Sequence, residues 1–93
     1  MTNLHKLYAF YNVCSHIEKD TLKDLLENHL PKEYTSKVIE KLKADDIAVD
    51  SAIVRNVKCG RTKDVFVFNA IVEVAKEYKE VSENLQSKLK PAV

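Results

Sequence analysis

Four cations crowd one short stretch near the middle of this sequence. Arg55, Lys58, Arg61 and Lys63 lie there beside a single carboxylate, Asp64. Cations with so little local counter-charge can hold an anion, and a run of them suits the phosphates of a nucleic acid. The other reactive side chains offer less. His5, His16 and His29 share no metal-binding spacing. His29 could pair with Asp24 or Glu27 on one helix, but no third ligand stands out. Cys59 has basic neighbours that would favour its thiolate, yet no base can be placed beside it. A chain with one glycine cannot build a Gly-rich phosphate loop. The expectation is therefore a protein that is not an enzyme, with no metal, no cofactor and no small-molecule substrate.

The elements that position these cations follow from pattern. Ile53 to Val57 and Val65 to Phe68 are rich in β-branched and aromatic residues, and Lys58 to Lys63 between them contains the only glycine. Two such runs around a short polar loop predict a β-hairpin with Arg61 and Lys63 at its tip. Asp50 and Ser51 before it read as turn chemistry. Everything else reads as helix. A first helix is expected over about Asn3 to Ser15, with Leu4, Leu7, Tyr8, Tyr11 and Cys14 on one face and Phe10, Val13 and Ile17 in a second stripe. Two apolar stripes mean that this helix is central or covered by a partner. A second helix starts near Asp20 or Thr21 and carries Leu22, Leu25 and Leu26. A third starts near Pro31, with Tyr34, Val38, Ile39 and Leu42 inward, and ends at Asp45-Asp46. A fourth runs from Asn69 to about Leu89, stopped by Pro91. Its Ile71, Val74, Tyr78, Val81 and Leu85 are spaced as a heptad seam, which predicts pairing with the same helix of a second subunit.

Composition bounds the function. Ninety-three residues make one domain with a small core, and chains of this size often gain stability by oligomerising. The net charge of +1 means that any nucleic-acid surface is a local patch rather than a bulk field. No apolar run approaches the ~20 residues of a membrane span, and no signal-peptide pattern is present, so a cytoplasmic protein without membrane contact is expected. Cys14, in a helical apolar pattern, is expected to be buried. Cys59, at the hairpin tip, is expected to be exposed and is a candidate for an intersubunit disulfide.

The order of helix, helix, helix, hairpin and long helix resembles the small dimeric winged-helix regulators, including MarR-like and PadR-like repressors and winged-helix proteins of archaeal viruses and plasmids. The resemblance is carried by Ile17, Leu22 and Leu26 around the second helix and by Ile39, Leu42 and Ile47 around the third. Two features depart from it. The turn from Glu27 to Pro31 is about two residues long for the pattern, and Asp46 stands where a glycine usually precedes the wing. The resemblance implies an α+β, mostly helical winged helix-turn-helix over residues 1–68, with residues 69–93 as a dimerisation helix. It implies a homodimer on double-stranded DNA and a small transcriptional regulator. The third helix would enter the major groove through Lys32, Glu33, Thr35, Ser36, Lys37 and Lys41, and the wing would grip backbone or minor groove through Arg61 and Lys63, with Arg55 and Lys58 nearby. The alternative is a protein-interaction module or host-takeover factor that binds no DNA. On that reading Lys37, Lys41 and Lys43, interleaved with Glu33 and Glu40, are simply a solvated face.

Overall fold

A computed structural model describes residues 3–89 of the chain, and those residues contain five α-helices and no strand. The helices are α1 (Leu4–Phe10), α2 (His16–Asp24), α3 (Tyr34–Ala44), α4 (Ser51–Cys59) and α5 (Val65–Leu89). A single π-helical turn, Leu25–His29, continues α2 and carries Leu25 and Leu26 into the core. The β-hairpin and the winged helix expected from the sequence are therefore absent among the described residues. The first strand of that hairpin is α4 and the second is the opening turn of α5. The resemblance to winged-helix regulators loses its wing. The expected stop at Pro91 lies outside the described residues.

Local chemistry explains the helices. The Asp50 side chain accepts the Ile53 amide at 2.8 Å and so starts α4. Asp64 does the same for α5, its Oδ1 accepting from Phe66 N at 3.0 Å and from Val67 N at 3.2 Å. Ser15 caps α2 through Glu18 N at 3.1 Å, and Asn3 caps α1 through Lys6 N at 3.1 Å. The second helix thus begins four residues earlier than expected. Three helices end alike. Asn12, Asp46 and Gly60 adopt left-handed backbone with φ of 55°, 60° and 87°. Val13, Ile47 and Arg61 then donate back to Tyr8, Leu42 and Asn56 at 2.9, 2.8 and 2.9 Å, the Schellman arrangement. The only glycine is thus a helix stop rather than a hairpin tip. Asn12 ends the first helix at Phe10 and leaves Cys14 exposed rather than buried, while Cys59, at the end of α4 and not at a hairpin tip, is half-buried.

The core is built around the first half of α5, which packs on α3, α4 and the π turn. Leu7, Val38, Val54, Val57, Val67, Ile71 and Val74 are fully buried. Tyr11 stacks on Phe68 with ring centroids 4.0 Å apart, and its hydroxyl accepts the Asp64 amide at 3.0 Å. Burial raises the Tyr11 pKa above the ordinary phenol value. Asn3 N donates to Cys59 O at 2.9 Å and ties the start of α1 to the end of α4.

Gly60 combines a positive φ with a close neighbour. A Cβ there would lie 3.1 Å from the Asn3 carbonyl oxygen. Gly60→Ala is expected to lower stability by about 1–2 kcal/mol, seen as a lower urea midpoint at unchanged slope.

Ion pairs tie α5 to the rest. Lys41 on α3 binds Glu77 at 2.5 Å and Glu73 at 3.9 Å, and its pKa is raised, first by the Glu77 hydrogen bond. Asp24 sits 3.4 Å from Lys79 and 3.2 Å from His29. Its carboxyl is held below the usual range, first by the Asn28 amide and then by Lys79. A folded-state pKa below the unfolded value gives stability that is present above the ordinary aspartate pKa and lost as pH falls through the lowered one. Asp24→Asn should therefore be less stable than the parent at pH 7, and the gap should narrow as pH falls below the ordinary aspartate range, in thermal melts from neutral to acid pH.

Candidate functional site

The cations singled out from the sequence do come together, but on a helix and its exit loop. Arg55 and Lys58 lie on α4, and Arg61 and Lys63 follow the Gly60 stop. Lys6 of α1 joins them, its Cβ 3.4 Å from where a Gly60 Cβ would stand. Sequence spacing could not place Lys6 there, since the juxtaposition depends on the α1 to α4 tie. Arg55 reaches Ser51 Oγ at 3.4 Å. None of the five has a described carboxylate within ion-pair distance. The nearest acid in sequence, Asp64, spends its side chain on the start of α5. Part of this charge also has a structural use, because cations in the last turn of α4 and just past it complement the carbonyl end of the helix.

The third-helix candidates fare differently. Lys32 and Glu33 lie in the turn before α3. Thr35 is half-buried, and Ser36 and Lys37 are exposed. Lys41 points to α5 and is occupied by Glu77 and Glu73. Of these candidates only Lys41 is engaged by another described side chain. Among the described residues no group of three or more His, Cys, Asp and Glu could hold a metal, and no helix is long and apolar enough to cross a membrane.

Two apolar surfaces stand out more strongly. The first is a groove of ≈ 390 Å³ between α2 and the first half of α5, lined by Val13, Ile17, Leu22, Leu25, Phe68 and Val72. Ile17 and Val65, both on its wall, are 80% and 57% exposed. The second is the far half of α5. The expected seam divides there. Ile71 and Val74 are buried within the chain's own core, whereas Val81 is 64% exposed, Leu85 55% and Leu89 71%, with Tyr78 at the boundary. Leu89 extends this stripe, one turn beyond Leu85, and the heptad spacing misses it because its next position after Leu85 is Lys88.

Compared with family models, with curated proteins and with solved structures, the chain matches none.

Proposed function

We propose that the protein is a non-catalytic helical interaction module that self-associates through the far half of α5. One observation carries the reading. The face of α5 that buries Ile71 and Val74 continues without a break into Tyr78, Val81, Leu85 and Leu89, where the body of the molecule no longer covers it. Leaving such a face in water forgoes about 25 cal/mol for each Å² that a partner could bury. A near-neutral net charge suits a protein partner, since no bulk field opposes association of like copies. Sedimentation velocity across about 5 to 500 μM tests this. The expected result is a reversible rise towards twice the chain mass. A monomer at every concentration would contradict it.

A second reading is favoured by the cationic corner of Lys6, Arg55, Lys58, Arg61 and Lys63, which have no described acid partner. On that reading the corner holds nucleic-acid backbone, and the expected role of a small DNA-binding regulator runs through α4 and its exit loop. Arg61→Ala with Lys63→Ala should then weaken binding to every duplex and lower the salt slope by about two. The check is titration of fluorescent random-sequence duplex at two salt concentrations, and an unchanged slope removes these residues from the phosphate contacts.

A further inference from the structure

Resting on the nucleic-acid reading of the cationic corner, we propose that its ligand is a single strand, with a base stacked on Phe66 and the flanking phosphates held by Arg61 and Lys63. The starting observation is an exposed aromatic ring beside the cations. Phe66 is 67% exposed, while Phe68 is buried and Phe10 half-buried. It belongs neither to the core cluster nor to the wall of the groove between α2 and α5. Its neighbour Val65 does line that groove. Successive residues of a helix point about 100° apart, so the Phe66 ring is turned away from it.

Placement ties the ring to the charges. Arg61 and Lys63 are exposed on the loop that leads directly into α5, and Phe66 stands in the first turn of that helix, three residues past Lys63. The Asp64 carboxylate fixes the turn by accepting the Phe66 and Val67 amides at 3.0 and 3.2 Å. The same carboxylate is thereby engaged with backbone, next to the two cations.

An aromatic face next to cations suits a single strand. Its bases are free to stack on the ring while the cations track the backbone, and every base offers a π face. A duplex keeps its bases stacked on one another and meets a ring only by opening a base step at a cost. Reading a duplex takes an element that enters a groove, and the hairpin expected for that role is absent among the described residues. The other end of α4 is flanked by Asp45, Asp46 and Asp50, which repel phosphate. A backbone is therefore drawn to the corner end of α4 rather than along the helix.

The test is a fluorescence-anisotropy titration of the full chain at low salt. Three labelled probes are compared: oligothymidylate and oligouridylate of about fifteen nucleotides, and a random-sequence duplex of similar length. A single strand should bind more tightly than the duplex. Phe66→Ala should weaken single-strand binding at least about fivefold, with duplex binding and melting temperature unchanged. Comparison of the two strands separates DNA from RNA, and preference for either over the duplex supports the inference. Phe66→Trp supplies a direct signature. The chain has no tryptophan, so the emission reports this position alone, and stacking should quench it when a single strand is added. Unquenched emission, a Phe66→Ala variant that binds single strands as the parent does, or a duplex bound as tightly as either strand overturns the inference and leaves the nucleic-acid reading standing. No binding of any probe overturns both.

Discussion

Leu85→Glu is expected to leave the fold intact and abolish self-association. Leu85 is more than half exposed in the single chain and touches none of the core cluster. A carboxylate there meets water, and the melting temperature should stay within a degree or two. In the proposed self-associated form the same position meets apolar side chains of the other copy. Each dimer carries the change twice, losing leucine burial and paying to desolvate a charge on both sides. The two together amount to at least about 3 kcal/mol, more than a hundredfold in Kd. Sedimentation at 500 μM should show monomer only, with unchanged circular dichroism. A variant that still dimerises would move the interface to the groove between α2 and α5, where Ile17 and Val65 are exposed.

Ile71→Ala should behave in the opposite way. Ile71 belongs to the same heptad progression, yet it is fully buried against the chain's own helices. Removing its side chain costs transfer energy and leaves a cavity, together about 2–5 kcal/mol. A domain of this size has a total stability of roughly 5–10 kcal/mol, so the variant should melt ten or more degrees lower. The loss should be independent of protein concentration, because it acts within one chain. A loss that shrinks as concentration rises would place Ile71 in an intersubunit seam after all.

These two residues also show where the sequence was legible and where it was not. The long C-terminal helix and its seam could be read from spacing alone. What spacing could not say is where the body of the molecule ends along that helix, because this depends on how α3, α4 and the π turn pack on it. The hairpin failed for a different reason. β-branched residues in Ile53 to Val57 favour strands only weakly, and packing overrides that preference. The run did carry a helical signal, since Val54 and Val57 are three apart with Arg55 and Asn56 between them, and both valines are buried. Asp50 and Asp64 are helix caps by type, and Gly60 suits a helix stop as well as a hairpin tip. Four apolar residues in a row, Val65 to Phe68, allow either state. As for the candidate site, the cation cluster was visible as a cluster. That Lys41 is taken by Glu77, thirty-six residues away, and that Lys6 joins the corner were not, since no local pattern encodes either contact.

The most direct test of the α5 interface is a methyl-resolved NMR dilution series of the unaltered chain, from about a millimolar down to the low micromolar range. The methyl resonances of Val81, Leu85 and Leu89 should move with concentration, while those of Ile71 and Val74 stay fixed. Resonances that move instead at Ile17, Val65 and Val72, or that do not move at all, would contradict the assignment of this face as the surface through which the protein works.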